Sequence, residues 1–442
     1  MSQAAEARAP APFSPDRLLR VFGRVEAGEA GPVLLLLANL FVLLVAYYVL
    51  KTVREPLILL SGGAELKSYA AAAQAAILVA FVPAYSWLSS KVSRARLIVV
   101  MVTIFVLSVE LFYLGSRLRV PHLGFVFYVW VGIFNVASIA MFWSYANDLH
   151  APADGERLFP VIALGATLGS PVGSKIAETL FSAGVPTFEL LHVSAALLVV
   201  HLALYRVVES REREARRAPP AAPPLRAGPG GFGLVLRSRY LGGIAALLVI
   251  LNVVNTIGEY ILGRSVVATA TAAAASSPGL DVASYIGAFY GNYFFWVNVA
   301  AVALQAFVVS RLVKHLGLTG VLLALPVVAF GAYALVAAGA GLAAIRWAKT
   351  AENSVDYSVM NTGKQMLWLP TTREEKYKAK QAIDAFFFRA GDVLAAGVVF
   401  AGTRSGAASL TSFAAVNLVL VAVWVAIALR VLHHYRSRCS TC

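Results

Sequence analysis

Residues 31–60 read GPVLLLLANLFVLLVAYYVLKTVREPLILL, and this stretch decides the fold class of the chain. It begins with about 20 almost entirely apolar residues, the length that an α-helix needs to cross a lipid bilayer. Lys51, Arg54 and Glu55 follow in the same run. An ionised side chain at mid-bilayer costs about 2.5–3.5 kcal/mol if it faces lipid. The stretch therefore predicts a membrane-spanning helix whose charged residues face other helices or a polar path.

The composition extends this prediction to the whole chain. Of the 442 residues, 59% are hydrophobic and 14% are charged, and the mean hydropathy is +0.73. Soluble domains carry about 25% charged residues, so a soluble enzyme, a disordered protein and a disulfide scaffold are excluded. The apolar runs exceed the ~10 alternating residues of a membrane barrel strand, so helices are expected. We predict an all-α polytopic membrane protein with twelve transmembrane helices, near residues 31–60, 65–90, 96–116, 121–148, 155–182, 187–208, 238–265, 284–310, 315–342, 346–369, 376–402 and 409–433.

One break divides the predicted helices into two groups of six. Residues 209–235 are first charged and then rich in proline and glycine, a composition typical of linkers. Parallel six-helix halves around a central site are the major facilitator architecture, and this fold is expected. The predicted organisation is a cytoplasmic tail with a short amphipathic helix at 1–30, an N-terminal half at 31–208, a cytoplasmic linker at 209–235, a C-terminal half at 236–435 and a tail at 436–442.

The distribution of positive charge predicts the topology. The formal net charge is +14, and cytoplasmic loops of membrane proteins accumulate Lys and Arg. With the N-terminus inside, most of these residues fall in inside segments. The outside loops then hold Lys67, Arg117, Arg119, Arg346 and Arg404. Both termini are therefore expected in the cytoplasm, and the excess charge needs no nucleic acid partner.

A smaller set of charges falls inside the predicted spans. Lys51 and Glu55, like Lys349 and Glu352, have the spacing that places two side chains on one helix face. In residues 345–370, polar residues recur every three or four positions, so this face is expected to line a cavity. The alternative is that the buried charges are structural pairs that never touch a solute. The charged candidates for substrate binding are Lys51, Arg54, Glu55, Glu259, Arg264, Lys349, Glu352, Asp356, Asp384, Arg389 and Asp392.

Residues 285–305 add aromatic candidates. They read YIGAFYGNYFFWVNVAAVALQ, in which Tyr290 and Tyr293 are expected either to stack on a flat ring of the solute or to pack in the core. The histidines lack the spacing of paired metal ligands, and there is no glycine-rich phosphate loop. Cys439 and Cys442 form one CxxC at the end of the chain, interpreted as an incidental tail. No metal site, catalytic residue or cofactor is expected.

Three stretches resemble a known family. They are YYVLKTVREPLILLSGGAELKSY at 47–69, FWSYANDL at 142–149 with RLFPVIALGATLG at 157–169, and EEKYKAKQAIDAFFFRAGDVLAAG at 374–397. They are similar to the ATP:ADP antiporter (nucleotide transporter) family of plastids and obligate intracellular bacteria, and closest to its bacterial branch. The resemblance implies a major facilitator-type exchanger of nucleotides in the bacterial cytoplasmic (inner) membrane.

The resemblance carries over residue by residue with changes. Arg54 and Glu55 stand where the family has a Lys–Asp pair, so the charge types are kept. Val131 stands where the family has a membrane glutamate. Asp392 stands where the family has a lysine, and Arg389 lies one turn earlier. The set of cations that neutralises phosphate is therefore expected to be rearranged in this chain.

Three functions remain open from the sequence. The first is a secondary active transporter of nucleotides, by ATP/ADP exchange, or of another phosphate-bearing solute. In it, Arg54, Arg389 and Lys51 hold phosphate and tyrosines contact the base. The second is a proton-coupled carrier or exporter of a different small solute, and the third is a non-transporting scaffold or receptor. The expected partners are a nucleotide or other small anionic solute and the lipid bilayer, with a monomer as the expected state.

Overall fold

The structure is a computed structural model that describes residue 26 and residues 29–150, 152–212, 231–406 and 409–439. Most of the predicted N-terminal amphipathic helix, most of the predicted linker at 209–235 and Cys442 lie outside the described residues. The described residues are almost entirely helical, as the sequence predicts.

The N-terminal helices are α1 (Ala30–Lys91), α2 (Arg94–Arg117), α3 (Leu123–Leu149), α4 (Pro152–Ser182) and α5 (Leu190–Glu212). The C-terminal helices are α6 (Gly231–Arg237), α7 (Arg239–Ser276), α8 (Val282–Phe307), α9 (Val309–Ala337), α10 (Leu342–Val355), α11 (Asn361–Met366), α12 (Lys380–Ala382), α13 (Phe388–Arg404) and α14 (Leu410–Cys439). Turns of π-helix at Asp356–Met360, Glu375–Ala379 and Ile383–Phe387 adjoin α10 to α13.

Helix α1 contains the first two predicted spans. Its backbone departs from helical geometry at Gly62 and at Gly63, where φ is 71°. A positive φ is accessible to glycine because it has no Cβ. The chain therefore passes from one predicted span to the next through a glycine turn with almost no loop.

The helices are those of a multi-pass membrane protein. Among the described residues, eight helices are long and apolar enough to cross a membrane, the longest being the 56 residues Ala30–Tyr85 within α1. The predicted spans at 155–182, 284–310 and 346–369 coincide with α4, α8 and the segment from α10 to α11. These three segments are not among the eight.

Glycine brings α4 close to α1. Gly165, Gly169 and Gly173 lie four residues apart on one face of α4, and each packs against the backbone of α1. A Cβ at Gly169 would lie 2.5 Å from the carbonyl oxygen of Phe41, closer than a carbon and an oxygen can approach. Small residues at this spacing let membrane helices pack backbone to backbone.

Close packing at glycine residues also joins the N-terminal helices to the C-terminal helices. Gly287 and Gly291 of α8 face Phe181 and Glu178 of α4, and a Cβ at Gly291 would lie 2.7 Å from the backbone nitrogen of Glu178. Helix α13 also packs on α1. The N-terminal and C-terminal helices therefore meet through contacts that include α4 with α8 and α1 with α13.

We expect Gly169→Ala to lower the midpoint of thermal unfolding in detergent. The added methyl must push α4 away from α1, and overpacking of this kind costs about 1–3 kcal/mol. The matched control is Gly331→Ala in α9, where a Cβ meets no atom within 4 Å. It should leave the midpoint unchanged or raise it slightly. Equal effects of the two substitutions would contradict the close packing of α4 on α1.

Candidate functional site

A polar cavity of ≈ 270 Å³ lies between the N-terminal and the C-terminal helices. Helices α1 and α3 line one side, and α7, α8, α10 with the π-turn that follows it, and α13 line the other. Its charged lining consists of four cations and three carboxylates: Lys51, Arg54, Lys67 and Arg389 with Glu259, Asp356 and Asp392. The cavity collects charges that the sequence scatters over more than 340 residues.

Glu55 is completely buried and pairs with two of the cavity's cations, Arg54 and Lys67. Its Oε1 lies 2.5 Å from Nη2 of Arg54, and its Oε2 lies 2.7 Å from Nζ of Lys67. Nζ of Lys67 also lies 3.3 Å from Oε2 of Glu259 on α7. Lys67 therefore links a carboxylate of the N-terminal helices to one of the C-terminal helices.

The series of ion pairs continues from Glu259 on α7 to Lys349 and Glu352 on α10. Nζ of Lys349 lies 4.0 Å from Oε1 of Glu259 and 3.1 Å from Oε2 of Glu352. The amide of Asn353 donates to the same Oε1 of Glu259 at 3.1 Å. The hydroxyl of Tyr333 on α9 donates to Glu352 at 3.0 Å. Positive and negative side chains alternate along this series of ion pairs, so each buried charge faces one of opposite sign.

The structure corrects the predicted placement of Lys67. The sequence places it in an outside loop, whereas the structure places it inside α1, beyond the glycine turn, with 5% of its surface exposed. The prediction is wrong because polar Glu65 and Lys67 suggest a loop, while the turn is confined to Gly62 and Gly63. A Gly-Gly pair is a turn signal, and it could have identified the tight connection.

Two further ion pairs border the cavity. Nζ of Lys364 lies 3.0 Å from Oδ1 of Asp356. Nη1 of Arg389 lies 3.5 Å from Oδ2 of Asp392, whose Oδ1 accepts a hydrogen bond from Thr256 at 2.9 Å. These two pairs and the series through Lys67 give every carboxylate in the cavity lining a cation within 4.0 Å.

Lys51 differs from the other cations. Its Nζ lies over the rings of Phe294, Tyr48 and Tyr357, at 4.3, 4.9 and 5.8 Å from their centroids. Within the described part of the chain, no carboxylate lies within 4.0 Å of it. Its side chain is 9% exposed and lines the cavity. The ammonium is therefore held by ring faces, which attract a cation without neutralising it.

The polar face predicted for residues 345–370 is divided between two environments. Asn353 and Asp356 line the cavity. Lys349 and Glu352 are 2% and 3% exposed and point between α7 and α9, where Nζ of Lys349 donates to Asn255 at 3.0 Å. The expectation that this whole face lines a cavity is therefore wrong, because partners from α7 and α9 satisfy half of it.

Tyr290 and Tyr293 are both 0% exposed and do not line the cavity. Tyr293 donates a hydrogen bond to Glu259 at 3.4 Å and accepts one from Asn353 at 2.7 Å. It therefore orients these two cavity-lining side chains without lining the cavity itself. Other aromatic side chains face the cavity: Tyr47, Tyr128, Tyr260, Phe294, Tyr357 and Phe388. Of these, the ring of Tyr128 lies 4.3 Å beneath the guanidinium of Arg54.

The last two predicted residues lie outside this cavity. Arg264 donates to the hydroxyl of Tyr260 at 2.8 Å and lies 3.8 Å from Glu65. Asp384 borders a second cavity of ≈ 270 Å³ together with Lys364 and Lys380. Among the described residues, no group of three or more His, Cys, Asp or Glu side chains is placed to hold a metal ion.

Comparison with solved structures defines the class of fold. A mutant of the nucleoside transporter NupG aligns with a TM-score of 0.64 and 14% identity, covering 91% of this chain and 99% of that one. An auto-inhibited peptide transporter of the POT family aligns with a TM-score of 0.64 and 13% identity, covering 92% and 97%. The chain thus has the major facilitator-like fold of these transporters.

Comparison with curated sequences identifies a relative by sequence. The chain is 24% identical over 348 residues to ADP,ATP carrier protein 1 of Chlamydia trachomatis serovar D. The match covers 68% of this chain and 63% of that relative, less than two thirds of its length. No family model matches. The predicted resemblance to the ATP:ADP antiporters is confirmed as a similarity of sequence.

We expect Lys67→Met to destabilise the protein strongly. The substitution leaves Glu55 with Arg54 alone and removes the nearest cation from Glu259, and breaking a buried ion pair costs about 3–5 kcal/mol. Thermal unfolding in detergent measures the loss. Lys91→Met at the exposed end of α1 is the control and should leave the midpoint unchanged. A Lys67→Met protein as stable as the control would contradict the bridging role of Lys67.

Proposed function

We propose that this chain is a secondary active transporter that exchanges nucleotides, or another phosphate-bearing solute, by alternating access. The observation that carries the proposal is a polar, charged cavity at the junction of two groups of apolar helices. Charges are expensive within a bilayer and are retained there where they line a path or a site. The proposal includes twelve spans in two halves, a bacterial inner membrane and both termini in the cytoplasm.

The comparisons support this choice among transported solutes. The curated relative is a carrier of ADP and ATP by its printed name, and one solved structure with this fold is a nucleoside transporter. The cavity has the two kinds of group that such solutes require. Arg54, Arg389 and Lys51 supply cations for phosphate oxygens, and arginine binds phosphate through two parallel hydrogen bonds. The rings of Phe294 and Tyr357 offer a face on which a base can stack.

Alternating access requires one end of the cavity to close by contacts between the two halves. At the end near the glycine turn, Glu65 of α1 accepts a hydrogen bond from Tyr260 of α7 at 2.8 Å and faces Arg264. Beside it, Asn292 of α8 donates to Glu178 of α4 at 2.8 Å. Both contacts join an N-terminal helix to a C-terminal one.

At the opposite end, two ion pairs each lie within one group of helices. Arg157 of α4 lies 2.5 Å from Glu29, and the hydrogen bonds from Arg157 lower the pKa of Glu29. Arg438 of α14 lies 3.2 Å from Glu375. The contacts that Glu65 and Glu178 make across the two groups favour a state closed at the glycine-turn end, which the proposed topology places outside.

The test is exchange by the purified protein in proteoliposomes. Vesicles loaded with unlabelled nucleotide should take up labelled nucleotide with saturable kinetics, and unloaded vesicles should take up much less. A panel of nucleosides, nucleotides and sugar phosphates, with binding followed by thermal shift, defines the solute. Neither exchange nor a thermal shift with any phosphate-bearing member of the panel would exclude the proposed function.

A crosslink across the closed end should arrest transport. With Cys439 and Cys442 replaced by serine, we expect Glu65→Cys and Arg264→Cys together to be joined by a short bifunctional thiol reagent, because the parent side chains lie 3.8 Å apart. Crosslinked protein should lose exchange, and reduction of a cleavable linker should restore it. Each single-cysteine variant serves as the control. Full activity of the crosslinked protein would contradict opening at this end.

Asp384 keeps a second candidate function open. Among the described residues it has no cation within 4.0 Å, in contrast to the carboxylates of the central cavity. A carboxylate of this kind can carry a proton, as a proton-coupled carrier requires. Proton coupling predicts uptake that follows an imposed pH gradient and is uncoupled by Asp384→Asn. One-for-one exchange that does not respond to the gradient would reject it.

A further inference from the structure

The charge balance of the cavity limits the charge of the solute. The four cations and three carboxylates of the lining leave one net positive charge. The charged groups immediately behind the lining do not alter this balance, because Glu55 and Glu352 are matched by Lys349 and Lys364. The site therefore offers a small surplus of positive charge and not a cluster of free cations.

The surplus belongs to Lys51. Arg54 is committed to Glu55 at 2.5 Å, and Lys67 is shared by Glu55 and Glu259 at 2.7 and 3.3 Å. Arg389 faces Asp392 at 3.5 Å. Lys51 alone among the cations of the described cavity lining faces rings in place of a carboxylate, and the residue is 9% exposed. A buried ammonium without an anion is desolvated at a cost that a bound anion can offset.

We propose that the transported solute carries a single phosphate group, which binds Lys51, and that nucleoside di- and triphosphates are disfavoured. This inference rests on the proposed function and narrows its substrate class. A phosphate monoester carries about 1.5–2 negative charges at pH 7, which is closer to the surplus of one than the charge of a di- or triphosphate. Each further phosphate brings another negative charge into a cavity whose remaining cations already face carboxylates.

The position of Lys51 also fits a phosphate monoester. Its ammonium donates three hydrogen bonds as a compact point charge, which suits the terminal oxygens of one phosphate. Arg389 is the next cation to be recruited, because its distance to Asp392 is the longest ion pair made by a cation of the lining and Thr256 holds Asp392 independently. The rings of Phe294 and Tyr357 beside Lys51 place a flat group next to the phosphate.

The experiment is a binding series on the purified full-length protein with adenosine, AMP, ADP, ATP and inorganic phosphate. We expect AMP to bind at least tenfold more tightly than ATP, and ADP to fall between them. Exchange of the same ligands in proteoliposomes should follow the same order. Equal or tighter binding of ATP would overturn the single-phosphate inference and leave the proposed transport of nucleotides standing.

The variant Lys51→Gln tests whether Lys51 binds the phosphate group. We expect it to weaken AMP binding by about tenfold to a hundredfold while adenosine binding changes less than threefold. Lys51→Arg should restore most of the affinity, and Lys314→Gln at an exposed position of α9 is the matched control. AMP binding that is unchanged in a folded Lys51→Gln protein would reject Lys51 as the phosphate partner.

Binding of glucose 6-phosphate distinguishes recognition of a single phosphate from recognition of a nucleotide. If AMP and glucose 6-phosphate both bind and both depend on Lys51, the single-phosphate inference is supported and the preference for a nucleotide is not. If none of the phosphate-bearing ligands binds or is exchanged, the proposed function and the inference both fail. If the Lys51→Gln protein does not fold, the ligand order of the unchanged protein still decides the inference.

Discussion

The bridge from Glu55 through Lys67 to Glu259 is the interaction on which the rest of the site depends. All three groups are charged, they lie between helices that must also face lipid, and isolated charges there would be expelled. Lys67 satisfies one carboxylate from each group of helices, at 2.7 and 3.3 Å. The bridge therefore fixes how the N-terminal and C-terminal helices meet at the cavity. It is also a contact that must be remade when the two groups move.

Close packing of glycine allows this bridge to form. The glycine turn at Gly62 and Gly63 returns the chain sharply enough for Lys67 to reach Glu55 on the same helix α1. Gly169 and its neighbours hold α4 against α1, and Gly291 holds α8 against α4. Side chains at the glycine positions would separate the helices by ångströms. The salt bridges at the cavity, with contacts of 2.5 to 4.0 Å, could not tolerate such a shift.

Much of the fold and part of the site could be predicted from the sequence. Apolar runs of membrane length identify helices, and Lys51, Arg54, Glu259, Asp356, Arg389 and Asp392 were recognisable because charge within such runs is costly. These six residues meet at one cavity. Whether they bind a solute stays a prediction. The charged linker is a compositional signal, and the organisation into two halves remains a proposal.

Other features depend on geometry that the sequence pattern does not contain. Lys67 was assigned to a loop because hydropathy cannot separate a two-residue glycine turn from a longer polar connection. Tyr290 and Tyr293 were expected either to stack on the solute or to pack in the core, and both are buried outside the cavity lining. Glu352 shares a helix face with Asp356 in the sequence pattern, yet Tyr333 of α9 draws it away from the cavity.

The central claim is that the cavity is reached by solute from alternate sides of the membrane. Labelling of Ala71→Cys, at a position in the cavity lining, tests it most directly in a protein whose Cys439 and Cys442 are replaced by serine. In vesicles of known orientation, a membrane-impermeant thiol reagent should label this cysteine from either side, and transported solute should protect it. Labelling confined to one side under all conditions, or labelling unaffected by any solute that is exchanged, would contradict alternating access through this cavity.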